Sequence, residues 1–182
     1  TLPRHNRRLN DTRAHFWPES TPLQLSDYLS SPGCGAGITG AGIVKARVVY
    51  GEKGIEDLSY SPYAVRHVHS LALMQADTID YTYKSAGREP LNCLFALRMG
   101  DILIVKQGLL TDTSIANIAL SDGTHWYTPA HPLLKGTKRA ALLEEGILQE
   151  KDIRPEDLPS FSTVRLFNAM IDWGELELPV RN

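Results

Sequence analysis

The chain has 182 residues, 42% of them hydrophobic and 22% charged, with a net charge of −2. That is ordinary globular composition, long enough for one domain or two small lobes around a buried core. The balance gives no footing for nucleic acid or an acidic membrane surface, and no apolar run reaches bilayer length. Two cysteines, Cys34 and Cys93, fit neither a disulfide framework nor a zinc site, so a cytoplasmic protein is the default expectation.

Residues 1–17 place Leu9, Thr12, Arg13 and Phe16 at helical spacing before Pro18. They predict a helix with a basic start at Arg4, Arg7, Arg8 and Arg13. Residues 21–30 present Leu23, Leu25, Tyr28 and Leu29 as one face of a second short helix. A formal G-x-G-x-x-G follows at Gly35, Gly37 and Gly40. It comes after a helix and before a strand, the reverse of a dinucleotide-binding turn, and reads as a loop. Residues 43–50 and 55–60 are antiparallel strands around Glu52-Lys53-Gly54. Residues 64–74 alternate in a strand-like way; His67 and His69 share a face there, with nothing nearby to complete a metal site.

In residues 79–83, Ile79, Tyr81 and Tyr83 alternate with polar residues, which predicts a half-buried strand ending at Lys84. Ser85-Ala86-Gly87 turns it into a helix carrying Leu91, Leu94, Phe95 and Arg98. Taken alone, Lys84 reads as a solvated surface lysine. Residues 102–105 form a continuous apolar run, hence a buried strand, and Gln107-Gly108 turns it back. The polar segment 112–117 leads into residues 118–120, the hairpin turn Ser121-Asp122-Gly123 and a returning strand at 125–128. Gly136-Thr137 opens a helix that ends at Gly146; residues 147–153 read as a strand, 154–158 as a turn or short helix, and 164–170 as a strand or strand-to-turn segment. The pattern is mixed α and β with antiparallel hairpins.

Three pieces of chemistry stand out. Asp112-Thr113-Ser114 offers hydroxyls and backbone N–H groups that can converge on phosphate oxygens. The helix start at Gly136-Thr137 favours an anion through its unpaired N–H groups and dipole, and Arg8 can add a guanidinium. Lys84 supplies a primary amine able to form a Schiff base.

Their order resembles the class IV (fold-type IV) pyridoxal-phosphate enzymes. His5-Asn6-Arg7-Arg8-Leu9 is similar to the family's H-x-x-R-L. Tyr83-Lys84 matches the cofactor lysine, and Arg88 stands where the 4-amino-4-deoxychorismate lyase branch has an arginine. Residues 111–117 (T-D-T-S-I-A-N) resemble T-E-x-x-x-x-N. Residues 134–139 (L-K-G-T-K-R) resemble L-x-G-x-x-R, and Asn168-Ala169-Met170 resembles the N-A-L/M of the lyases. Departures are Asp112 for the usual glutamate, Glu89 where many aminotransferases have tyrosine, and Thr137-Lys138 in place of an aliphatic-threonine pair. The chain starts almost at its first motif. The expectation is a short member or one lacking roughly 20 residues at its front, by ordinary strand and turn lengths.

The resemblance implies an α/β (α+β) fold of two lobes, a small N-terminal one (1–74) and a larger barrel-like one (75–182) that binds pyridoxal 5′-phosphate. It implies that Lys84 carries the cofactor and acts as base and acid. Asp112 then faces the ring nitrogen, while Arg8, Thr113, Ser114 and Thr137, with the N–H groups of Ile115 and Ala116, hold the phosphate. It also implies a homodimer acting on a small molecule. Arg88, the 168–170 segment and the absent tyrosine favour a lyase that eliminates pyruvate to give 4-aminobenzoate. A class IV aminotransferase and a cofactor-binding homologue without turnover are the alternatives. Arg47 reads as a surface or structural arginine more than as a carboxylate ligand.

Overall fold

In the computed structural model, which describes residues 2–29, 42–96 and 101–181, the chain divides into units Thr1–Val65 and Arg66–Asn182. The first is built on helix α1 (Leu2–Phe16), whose buried face is Leu9, Thr12 and Arg13. Arg13 is buried because its guanidinium donates to the carbonyls of Gly51, Thr21 and Glu52. That fastens the helix to the turn between β1 (Ile43–Gly51) and β2 (Gly54–Tyr63), which pair antiparallel. Gly54 has φ +130°, a backbone conformation suited to glycine.

The expected second helix is shorter than its apolar spacing suggests: α2 covers Ser26–Leu29 only. Asn10 donates to the carbonyl of Leu23 and accepts its N–H, and Asn6 accepts the N–H of Leu25. Two helix side chains thus hold residues 23–25 in place of an i→i−4 ladder. The glycine motif at 35–40 lies outside the described residues.

The second unit holds a three-stranded sheet, β3–β4–β5, and a five-stranded sheet in the order β10–β9–β6–β7–β8. Its strands are β3 (Leu71–Gln75), β4 (Asp101–Lys106), β5 (Leu109–Thr113), β6 (Asn117–Ser121), β7 (Trp126–Pro129), β8 (Gln149–Lys151), β9 (Thr163–Phe167) and β10 (Leu176–Pro179). Helix α3 (Glu89–Ala96) lies between β3 and β4, and α4 (Thr137–Glu144) between β7 and β8, both strand pairs being parallel. A parallel pair needs such a crossover, whereas β4–β5 and β6–β7 are joined by short turns. The first of these turns has Gln107 at φ 53° and Gly108 at φ 78°, the left-handed pair that suits strand twist.

Strand β4 is buried on both faces, which is why it reads as an unbroken apolar run. Ile102 and Ile104 pack with Ile79, Leu91 and Leu133. Leu103 and Val105 pack on the other side with Ile118, Leu120, Ile153, Val164 and Leu166. A third cluster joins Phe167, Ala119, Leu142 and Leu148 to Trp126 and Trp173. Arg165 lies 4.2 Å and 4.8 Å from the Trp126 and Trp173 ring centroids, a cation on two aromatic faces.

Two strand expectations change. Residues 64–70 have no regular structure and only Leu71–Gln75 is extended, pairing with β4 in the second unit. Residues 79–83 are a turn, not a strand. Asp80 Oδ1 accepts the N–H of Thr82 at 2.9 Å and its hydroxyl at 2.7 Å, and Lys84 N–H bonds the carbonyl of Tyr81 at 3.0 Å. A carboxylate capping its own backbone competes with a sheet ladder and wins.

Phe167→Ala empties a fully buried site in the third cluster. The expected loss is about 3–5 kcal/mol of stability, measured by urea unfolding followed through Trp126 and Trp173 emission.

Candidate functional site

Asp112 lies near the end of β5 and is only 4% exposed. Its Oδ1 accepts from Asn117 Nδ2 at 2.8 Å and its Oδ2 from the N–H of Leu134 at 2.9 Å. Burial pushes its carboxyl up to about 7, against the opposing pull of the hydrogen bonds from Leu134 and Asn117 and the charge of Arg139. The result is an aimed carboxylate whose charge is poorly compensated.

Asn117 Nδ2 also donates to the carbonyl of Leu134 at 2.8 Å. Its Oδ1 lies so close to Gly136 that a Cβ there would overlap it. One side chain therefore joins the end of β5 to the turn before α4. Gly136 caps that helix with no side-chain hydrogen bond, and Thr137 is buried in its first position. Arg139, 3% exposed, donates through Nη2 to the carbonyl of Pro129 at 2.8 Å and to Glu150 at 2.6 Å. That clips α4 to β7 and β8.

Residues 113–116 fold around one hydroxyl. Thr113 Oγ1 accepts the N–H of Ala116 at 3.0 Å and of Ile115 at 3.3 Å, and donates to the carbonyl of Ala116. The two amides offered as phosphate donors thus already converge on a side-chain oxygen of their own turn. Asn168 Nδ2 holds the carbonyl of Ile115 at 3.0 Å, while its Oδ1 accepts from the N–H groups of Met170 and Ile171. Arg88 Nη2 holds the carbonyl of Ser114 at 2.6 Å.

Lys84 is exposed, with φ 55°. Its Nζ lies 5.9 Å from the Tyr81 ring centroid, and the Arg88 guanidinium lies 5.5 Å from the same ring. Lys106 Nζ bonds the carbonyl of Ile79 at 2.6 Å, pinning the start of this turn to β4.

The structure thus brings Asp112, Thr113, Ser114, Ile115 and Ala116 into one bonded assembly that reaches the turn before Thr137, and Arg88 links it to the loop of Lys84. Arg8 is on α1 in the first unit and is half-buried. Arg47 pairs with Asp57 at 3.1 Å on the surface. His67 and His69 stack with centroids 6.5 Å apart, and no metal-binding cluster occurs among the described residues. Sequence reasoning missed Asn117, Gly136 and Arg139 as site residues, although they are the fixed letters of the two motifs that surround the predicted ones.

The profile of the family described as amino-transferase class IV matches residues 95–177. An uncharacterised Haemophilus influenzae protein is 36% identical over 130 residues, which are 70% of this chain and 69% of that protein. A Haemophilus somnus structure, provisionally named a 4-amino-4-deoxychorismate lyase, is 30% identical with a TM-score of 0.84, over 93% of this chain and 88% of that one. A Mycobacterium tuberculosis protein called a hypothetical aminotransferase, in its PLP-bound form, shares the fold at 16% identity and TM-score 0.67, over 98% and 74% of the two chains.

Gly136→Ala should cost about 1–3 kcal/mol, because Asn117 is held by two hydrogen bonds and has no unstrained way to withdraw. Thermal melts of Gly136→Ala, Asn117→Ala and the pair close a double-mutant cycle. The pair should cost less than the sum, since removing the carboxamide also removes the clash. The folded carboxyl of Asp112 titrates near 7, above its ordinary 3.8, so its contribution is complete below about 4 and is lost as pH rises through about 7. Urea melts from pH 4 to 8 should show stability falling across that window, and the fall should flatten in Asp112→Asn.

Proposed function

The chain belongs to the class IV aminotransferase family, and on that premise we propose that it is a pyridoxal 5′-phosphate enzyme with 4-amino-4-deoxychorismate lyase activity. The observation that carries the cofactor reading is the Asp112–Asn117–Leu134 network. It makes one rigid piece of a buried acid, a hydroxyl turn and a helix start. Those groups fit this cofactor by their chemistry. A buried carboxylate pushed up to about 7 gains most from a protonated ring nitrogen beside it. The hydroxyls of Thr113, Ser114 and Thr137 and the start of α4 suit a phosphate, and a guanidinium such as that of Arg8 has the chemistry to pair with one. The amides of Ile115 and Ala116 can join only by sharing or leaving Thr113 Oγ1. Support for the lyase comes from the Haemophilus somnus likeness and from Arg88 and Asn168, both of which hold the phosphate-type turn.

Bound pyridoxal phosphate supplies an electron sink for the charge left on carbon when the proton beside the substrate amine is removed. Lys84 Nζ would hold it covalently. The same Nζ would be the base that takes the proton from the amine-bearing carbon. Asp112 would hold positive charge at the ring nitrogen. Loss of that proton lets the substrate expel pyruvate and become 4-aminobenzoate; return of the proton elsewhere would make the same residues a transaminase, the second reading that the family description favours. The assembly proposed with this activity is a cytoplasmic homodimer.

Adding pyridoxal phosphate to the wild-type protein should give a visible absorption band that Lys84→Ala lacks. Absence of the band in wild type would sink the enzyme reading. Pyruvate released from aminodeoxychorismate, against keto acid formed from amino acids, decides between lyase and aminotransferase. Light scattering on the same sample reads the dimer as twice 20.2 kDa.

A further inference from the structure

We infer that Arg88 is a positioning residue: it sets the 113–116 turn for an anionic group and couples that turn to the loop of Lys84. The inference rests on the cofactor reading above. A trans peptide is planar, with its C=O and N–H pointing opposite ways. Arg88 Nη2 pulls the Ser114 carbonyl at 2.6 Å, and this fixes the direction of the Ile115 N–H. Asn168 Nδ2 pulls the Ile115 carbonyl at 3.0 Å and likewise fixes the Ala116 N–H. Both amides then point inward to Thr113 Oγ1. Two side chains far apart in sequence thus turn successive carbonyls outward and successive donors inward, the arrangement of an anion-binding concavity.

Arg88 does more than Asn168 because of where it sits. It follows Lys84 by four residues, and the two cations flank one aromatic ring, that of Tyr81, at 5.5 Å and 5.9 Å. The bond to Ser114 therefore joins the amine's loop to the turn. Arg88 also walls, with Arg66, Leu91, Asn92, Ser114 and Ile115, a cavity of about 310 Å³. Its Nε is buried with no hydrogen-bond partner among the described residues. The hydrogen bond it does make is thus to the turn.

The test compares pyridoxal phosphate with pyridoxal, which keeps the aldehyde and lacks the phosphate. Affinities are read by absorbance titration of wild type, Arg88→Ala and Arg88→Lys, with apo melting temperatures alongside. Loss of a charge-assisted bond that shapes the phosphate donors should weaken pyridoxal phosphate by about tenfold or more in Arg88→Ala. Pyridoxal should change far less, and Arg88→Lys, which keeps a charged donor, should recover part of the loss. Equal weakening of both ligands, or none, overturns the role of Arg88 while leaving the cofactor reading intact. If wild type binds neither ligand, the cofactor reading fails and takes this inference with it. Should Arg88→Ala not fold, the ratio of the two affinities in Arg88→Lys against wild type decides the question in the same way.

Discussion

The carboxamide of Asn117 is the contact on which the second unit's candidate site depends. Its Nδ2 donates both to the carboxylate of Asp112 and to the carbonyl of Leu134. Its oxygen fills the place a side chain at 136 would need. Buried polar groups are costly unless satisfied, and here each satisfies another. The acid is aimed because the amide is fixed, and the amide is fixed because the turn before α4 closes over it. A network of this kind tolerates little: losing Asn117 leaves Asp112 Oδ1 buried without its donor, with only Oδ2 still held by Leu134.

The polar assembly sits on an apolar frame that takes no part in it. Strand β4 separates two core clusters and keeps no polar side chain at positions 102–105. Its neighbour β5 begins as core at Leu110 and ends as chemistry at Asp112 and Thr113. That change of character within one strand is possible because the polar end finds partners from β6 and the 134–136 turn. Arg139 extends the same logic to α4, with its guanidinium buried against a strand carbonyl and a carboxylate.

What is legible in the sequence follows from which forces are local. The hairpins at Gln107-Gly108 and Asp122-Gly123 announce themselves through turn residues, and β4 through its unbroken apolar run. The α1 helix is readable to Phe16 because its periodicity and Pro18 agree. The failures lie where side chains override pattern. Alternation at 79–83 mimics a strand, yet Asp80 caps its own backbone; residues 23–25 look helical, yet Asn6 and Asn10 claim their backbone groups. Strand β10 carries no strong signal of its own, and its partner β9 is what makes it a strand. At the site, Asp112, Thr113 and Thr137 stand out by chemical type. Asn117 and Gly136 are fixed letters of two motifs, but that they touch one another is visible only in the fold, and Arg88 gains its positioning role only from its bond to Ser114. Sequence spacing carries no record of such pairs.

The backbone at Lys84 is left-handed, φ 55°, a conformation in which a side chain beyond glycine or asparagine is at a disadvantage of roughly 1 kcal/mol. Selection for stability alone would drift away from lysine at that position. Gln107, at φ 53°, carries the same cost in the turn between β4 and β5, so a library enriched only for heat resistance would replace both residues alike, whatever either one does.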